Sequence, residues 1–255
     1  MSAVLNRLLR GVFPVRSLWI VICMALALTG CQSGAPEVEE APDPLTLLTT
    51  AAEQIRAVDT FRLAVDVTGL SHLFYAELGD DGLVSAEFLQ ARAQYVSPDI
   101  FIGKVRIKYV VPLDVEVYAN GTSQSYRLGT LNWIKGQFAP EFTPSMLLAE
   151  DTGFQAALTT MKDLTYVGRE TLEDGQPVYH LTGEANGEHI SSLVVGLINT
   201  QDDLPLDVYI HTETNYPVRL VMHLPHDDGE STFLIDVYDV NEPADPITIP
   251  QTEGA

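Results

Sequence analysis

Apolar and polar residues follow two different periods along this chain. Residues 45–58 carry apolar side chains at helical spacing, with charged and amide side chains on the opposite face. Further along, short apolar runs alternate with polar residues and are separated by turn residues, a pattern typical of antiparallel strands. The predicted strands are residues 61–68, 73–78, 83–88, 94–96, 101–110, 113–119, 125–128, 164–168, 178–183, 206–212, 218–224 and 232–240.

Two more helical segments interrupt the strands. Residues 144–162 are predicted to be helical with a break near Gly153, and Pro144 suits a first turn because its missing N–H is not needed there. Residues 188–199 form a second, shorter helical segment. Since the chain has no internal repeat and no second linker, we expect one α+β domain over residues 45–250, built on a large antiparallel sheet, and a tail at 251–255.

The first thirty residues have the order of a secretory signal. Three arginines and no acid accompany an apolar run, residues 18–28, that is shorter than the roughly 20 residues a membrane helix needs. Leu28-Thr29-Gly30-Cys31 then resembles a bacterial lipobox, so residues 1–30 are predicted to be removed and Cys31 to carry acyl chains such as palmitate. Two or more chains would hold the protein on a membrane. An uncleaved anchor helix and an ordinary signal peptide are the alternatives, and both would still export the domain.

Residues 31–44 are predicted to be a flexible tether, because they are rich in Pro, Gly and Glu and lack an apolar period. Cys23 leaves with the signal and Cys31 is consumed by the lipid, so no cysteine remains for a disulfide. Acids outnumber bases 35 to 14 over the chain, which argues against nucleic acid as a partner. We expect this charge to keep the exported protein soluble; an acidic site for a cationic ligand is the alternative.

The strongest metal-like cluster is residues 223–228, where His223, His226, Asp227 and Asp228 fall within six positions. The neighbouring Pro225 and the strand-to-turn context favour a solvated hairpin tip, and a closed metal site needs further ligands. No G-x-S-x-G elbow, H-E-x-x-H pair or EF-hand loop occurs in the sequence. The sequence therefore predicts no enzyme, no metal site and no cofactor.

Five stretches follow one another in a characteristic order: LNWIKG, TPSMLLAEDTGFQAALTTM, YVGRETLEDGQPVYHLTGE, LDVYIHTETNYPVRLVM and FLIDVYDVNEPADPITIP. Together with the lipobox, tether and first helix, this order resembles the LppX/LprAFG family of bacterial lipoproteins over roughly residues 45–250. The resemblance implies a LolA-like fold, a strongly curved antiparallel half-barrel with a few helices on its concave face and a lipid-sized cavity between them. It implies no catalytic residue.

The resemblance also implies a function. We expect a protein that is anchored through Cys31 at the extracytoplasmic face of the cell membrane and carries or presents a lipid or glycolipid. A sensory or scaffold lipoprotein that uses the same half-barrel to bind an envelope partner, such as a transporter or a regulator, is the alternative.

Apolar residues on the predicted helices and strands are the candidates for lining such a cavity. Each of them could equally fill a packed core. The candidates are Val65, Val67, Val105, Ile107, Val117, Phe154, Leu158, Met161, Leu193, Val194, Leu197, Val208, Ile210, Leu220 and Met222.

Overall fold

The computed structural model describes residues 41–77 and 83–251. The fold begins with helix α1, Pro44–Arg56, whose first turn is capped by the carboxylate of Asp43 accepting a hydrogen bond from the Thr46 N–H at 2.8 Å. The helix is amphipathic and buries one face. The buried residues are Leu47, Leu48, Ala51, Ala52 and Ile55.

Twelve antiparallel strands form one open sheet. They are β1 Thr60–Gly69, β2 Leu73–Glu77, β3 Leu83–Val96, β4 Ile100–Lys108, β5 Pro112–Asn120, β6 Ser123–Leu128, β7 Ile134–Lys135, β8 Lys162–Thr171, β9 Pro177–Ala185, β10 Leu204–His211, β11 Pro217–His226 and β12 Gly229–Tyr238. Their order across the sheet is β7-β6-β5-β4-β3-β1-β12-β11-β10-β9-β8, and β2 pairs with β3 beside this path. The pairing of β1 with β12 brings the first and last strands together at the centre of the sheet.

Short helices connect the strands. A 3-10 helix, Pro144–Leu148, is followed by α2, Gly153–Thr159, and later by α3, Gly187–Leu193. The predicted break lies at Gly153, whose φ is +54° and where an added Cβ would lie 2.3 Å from a backbone oxygen, so only glycine fits. Helix α3 is shorter than the predicted segment, because Val195 and Gly196 adopt positive φ angles and end it.

The helices pack against one part of the sheet. Helix α1 contacts α2, β8 and β11, so these two helices cover the inner face of the sheet on the side of β8–β12. We call this region the packed half and the region of β1–β6 the hollow half. Every residue of the buried hydrophobic cluster lies between Leu47 and Val237, and residues 41–255 form a compact unit. Because this unit contains the whole buried cluster, we expect it to fold by itself.

The α+β class and the open antiparallel sheet with a few helices are confirmed. Two strands differ: β3 runs unbroken over 14 residues where two separate strands were predicted, and the two-residue strand β7 was not predicted. The predicted signal at 1–30, the lipidated Cys31, most of the tether, the β2–β3 turn and the end of the tail lie outside the described residues. Within the described ranges, no helix has the length and apolar character required to cross a membrane.

The two edges of the sheet are irregular. Strand β7 at one edge has two residues, Ile134 and Lys135. Strand β8 at the other edge pairs with β9 through two register shifts, between Lys162 and Thr165 and between Tyr166 and Gly168. Neither edge therefore presents a long, regular row of backbone groups.

Candidate ligand-binding cavity

A cavity of about 530 Å³ lies between the hollow half of the sheet and two covering segments. Its floor is formed by residues of β1 to β6 and of β12. The first covering segment is the loop 138–142, which we call the mouth loop, and the second comprises α3 with the loop that follows it, up to Gln201. Cavities of this size hold small organic ligands in other proteins.

Small residues on the strands create the space. Ala91 and Ala93 of β3 line the cavity, and Gly103 of β4 pairs with Ala93. A Cβ at Gly103 would lie 3.1 Å from the Ala93 Cβ and 3.4 Å from Val117 Cγ2, so a side chain there would crowd the floor. The packed half carries large residues instead. They are the fully buried Leu181, Leu206, Val208, Ile210, Leu220 and Met222.

One buried amide positions the mouth loop. The Gln124 Nε2 donates to the carbonyl oxygens of Ala139 and Phe142 at 2.7 and 2.9 Å, and its Oε1 accepts from the N–H groups of Phe138 and Ala139 at 2.9 and 3.1 Å. Gln124 is 4% exposed, so these four bonds also satisfy its own polar atoms. The ring of Phe142 packs edge-on against Phe101, with 5.5 Å between centroids. The mouth loop is therefore held in one geometry.

A histidine holds the loop after α3 against the sheet. The Nε2 of His72 lies 2.9 Å from the carbonyl oxygen of Leu197, which accepts its hydrogen, and the ring packs edge-on against Phe233 at 5.0 Å between centroids. Burial lowers the pKa of His72 below the usual histidine value, and the Leu197 carbonyl only partly offsets this effect. The neutral ring is therefore the form that fits the folded protein.

The polar groups of the cavity lie at its rim. The strands contribute only apolar residues and Tyr126, whereas hydroxyl and amide groups come from Ser191, Ser192, Asn199, Thr200 and Gln201 in the covering segment. Glu141 and Glu188 are the charged residues among the described lining residues, and both are exposed. The cavity is thus an apolar hollow with a polar, weakly acidic mouth.

The structure brings seven of the fifteen candidate residues into this cavity. They are Val65, Val105, Ile107, Val117, Leu193, Val194 and Leu197. The other eight do not line it and instead belong to or pack against the buried core. They are Val67, Phe154, Leu158, Met161, Val208, Ile210, Leu220 and Met222. Sequence reasoning missed Ala91, Ala93, Gln124 and His72, and the two alanines of the Gln90-Ala91-Arg92-Ala93 stretch carry no strong strand pattern that would have indicated them.

The residues of the metal-like cluster point in different directions. His223 Nε2 lies 3.1 Å from Asp207 Oδ2 and its Nδ1 lies 2.8 Å from Glu230 Oε1, whereas His226 Nε2 contacts the Ser231 hydroxyl at 2.8 Å. Asp227 and Asp228 form the exposed tip between β11 and β12. In the described part of the chain, no group of three or more potential ligand residues is arranged to hold a metal ion.

A row of acids and histidines crosses the outer face of the packed half. His180 Nδ1 lies 2.7 Å from Glu170 Oε1, and its Nε2 lies 3.2 Å from Asp207 Oδ1, so Asp207 contacts both His180 and His223. Although burial lowers the pKa of His223, its hydrogen bonds with Glu230 and Asp207 raise it above the usual histidine value. This row links β8, β9, β10, β11 and β12 through their outward-facing side chains.

The fold and the cavity together define a class: α+β half-barrels whose open antiparallel sheet and short helices enclose an apolar hollow. The chain belongs to the LppX_LprAFG lipoprotein family, because the family model matches residues 43–246. A search of curated proteins found no match to this sequence.

Two solved structures share the fold at low sequence identity. LprF from Mycobacterium bovis superposes with a TM-score of 0.62 at 17% identity, covering 84% of this chain and 100% of that chain. LppX from Mycobacterium tuberculosis superposes with a TM-score of 0.53 at 18% identity, covering 79% of this chain and 97% of that chain. Both comparisons establish the fold of the chain.

Proposed function

We propose that this protein binds a lipid or glycolipid in the cavity of its hollow half and carries or presents it at the cell envelope. The observation that carries the proposal is the apolar hollow of about 530 Å³, floored by strands and closed by segments that polar side chains hold in place. We propose that Cys31 anchors the protein by its lipid at the extracytoplasmic face of the cell membrane, and that the protein catalyses no reaction.

Energetics support a lipid as the occupant. Removal of apolar surface from water stabilises a complex by roughly 25 cal/mol per Å², or about 0.8 kcal/mol for each buried methylene. An acyl chain would cover the apolar floor without needing a charged partner, and the floor offers none. The hydroxyl and amide groups at the mouth could then bind the headgroup.

A partner-binding role is the second candidate, and the hairpin between β4 and β5 favours it. Tyr109, Val110 and Val111 at this turn are 61%, 78% and 65% exposed. Clustered exposed apolar residues mark interaction surfaces in many soluble proteins. In this role, the protein would bind an envelope protein rather than a lipid.

The decisive experiment compares two tryptophan substitutions in protein extracted from its own membrane. Val194→Trp inserts a large ring into the cavity, and we expect bound lipid to disappear with little loss of stability. Leu158→Trp is the matched control, because Leu158 is fully buried in the packed half and overpacking there costs about 1–3 kcal/mol. Lipid content is measured by mass spectrometry and stability by thermal unfolding on the same samples. If the parent protein carries no lipid, the partner-binding role is favoured.

The anchor is tested separately. We expect Cys31→Ala to abolish incorporation of a labelled fatty acid and to release the protein from the membrane fraction. Fractionation with metabolic labelling measures both effects. Unchanged labelling of the variant would remove the proposed lipidation site and leave the cavity proposal intact.

A further inference from the structure

The size of the cavity limits what it can hold. An apolar cavity of about 150 Å³ accommodates one benzene ring, which has six carbon atoms. By the same ratio, the volume of about 530 Å³ accommodates about twenty carbon atoms. This number corresponds to one long acyl chain, whereas two such chains exceed it.

The covering segments oppose enlargement of this volume. Four hydrogen bonds from Gln124 fix the mouth loop, and the His72–Leu197 hydrogen bond fixes the loop after α3. Widening the hollow until it holds a second acyl chain would break these buried contacts, each of which is costly to leave without a partner.

The mouth of the cavity selects against negative charge. No Lys, Arg or His occurs among the described lining residues, so an anionic headgroup would find no cation there. It would instead approach the carboxylates of Glu141 and Glu188, in a protein whose formal net charge is −21. A headgroup with hydroxyl groups finds hydrogen-bonding partners in Asn199, Thr200 and Gln201.

We infer that the cavity, if it binds lipid as proposed above, is specific for lipids that have one acyl chain and a headgroup without net negative charge. The apolar hollow takes the chain. The rim binds a neutral, hydroxyl-bearing headgroup, and Glu141 and Glu188 exclude an anionic one.

Three lipids that differ by one feature at a time test this inference. The unit 41–255 is incubated with phosphatidylcholine vesicles that contain monooleoylglycerol, its phosphate ester oleoyl lysophosphatidic acid, or dioleoylglycerol. After the vesicles are removed by flotation, the lipid bound to the protein is quantified by mass spectrometry. We expect one monooleoylglycerol per protein, and roughly tenfold less of the lysophosphatidic acid, because its charge faces two carboxylates. Dioleoylglycerol should load at least tenfold less, since its second chain has no space.

Charge reversal at the mouth identifies the residues responsible. The double variant Glu141→Lys with Glu188→Lys should raise loading of the lysophosphatidic acid to the level that monooleoylglycerol reaches in the same variant. Glu213→Lys, an exposed position in the β10–β11 turn, makes the same kind of charge change away from the mouth and should alter neither.

A chain-length series tests the capacity. Binding of monoacylglycerols should strengthen by about fourfold for each added methylene, as expected for burial of apolar surface. The increase should stop at about eighteen to twenty carbons, when the hollow is full.

The outcomes separate this inference from the proposed function. Equal loading of the glycerol and phosphate headgroups, or full loading of dioleoylglycerol, would overturn the inference and leave lipid binding established. Failure of all three lipids to load would overturn the inference together with the proposed lipid-binding function.

Discussion

The packed half and the hollow half of the sheet cover their inner faces in different ways. In the packed half, large aliphatic residues of β9–β11 meet the 13-residue helix α1, and side chains fill the space. In the hollow half, the floor combines Ala91, Ala93 and valines with larger residues such as Phe88 and Phe101, and the cover is the seven-residue helix α3 with its following loop. The same antiparallel sheet therefore supports a solid core and a cavity side by side.

The difference teaches that the helices that cover each half, rather than the type of strand beneath them, decide where the molecule is empty. Shortening a side chain in a close-packed interior leaves a new void. Shortening a side chain on the wall of an existing cavity only widens that cavity. The two halves should consequently respond differently to the same substitution.

The largest expected effect comes from a leucine-to-alanine pair. Leu220→Ala in the packed half removes a fully buried side chain and should cost about 2–5 kcal/mol, because it leaves a new cavity. Leu197→Ala removes a partly buried side chain from the cavity wall and should cost about 1 kcal/mol. Urea unfolding of the two variants measures both values. Equal losses would show that the hollow half is as tightly packed as the other.

A glutamine-to-leucine pair should give the next largest difference. Gln124→Leu leaves three backbone groups of the mouth loop without a partner, because of the four only the Ala139 carbonyl keeps one, the Phe142 N–H, and it should cost about 1–3 kcal/mol. Gln155 in α2, by contrast, has a buried Oε1 for which no hydrogen-bond partner is found among the described residues, so Gln155→Leu should be neutral or stabilising.

Thermal unfolding compares these variants, and proteolysis tests whether the mouth loop has become accessible in Gln124→Leu. A destabilised Gln155→Leu with an unaffected Gln124→Leu would reverse the assignment of the two glutamines.

We expect acid to destabilise the hollow half before the packed half. The pKa of His72 in the folded protein is lowered by burial, so the unfolded chain binds a proton more readily, and stability falls as the pH drops below the usual histidine value of about 6.5. The response should concentrate in residues 194–201, which His72 holds through Leu197. Amide hydrogen exchange between pH 5 and 7.5 measures it. His72→Leu should abolish this pH dependence. If the pH dependence persists in that variant, a group other than His72 causes it.

We expect alkaline pH to destabilise the packed half, by less than acid destabilises the hollow half. The pKa of His223 is raised by Glu230 and Asp207, so its contribution is fully present below about pH 6.5 and is lost as the pH rises through the raised value. Because these groups lie on the outer face and are partly solvated, we expect a loss of at most about 1 kcal/mol. Unfolding between pH 6 and 9 should show this slope in the parent protein but not in His223→Asn.

Much of the fold could be predicted from the sequence, because most strands and α1 have clear periodic patterns. Strand β3 in the hollow half is the exception. Residues 89–93 of β3 lack β-branched or aromatic residues, so the pattern indicated a gap, and this same stretch supplies the alanines of the cavity floor. The alanines in the cavity floor are thus also the reason why this part of β3 was not predicted to be a strand.

The candidate site could be predicted only in part, for a related reason. Periodicity identifies which side chains face inward, but it does not say which helix covers which strand. Val208 and Val117 are both buried valines that face inward. Helices α1 and α2 cover the half that contains Val208, whereas Val117 lies beside the cavity. Gln124 and His72 act through tertiary hydrogen bonds that have no signature in the local sequence.

The irregular edges of the sheet have a consequence for how the protein behaves among its neighbours. An open sheet exposes unpaired backbone groups at both ends, and these can recruit strands from other molecules and start aggregation. Here the two-residue strand β7 is too short to act as a template, and the two register shifts twist β8 away from a regular ladder. The sheet can thus stay open around its cavity while its edges discourage self-association.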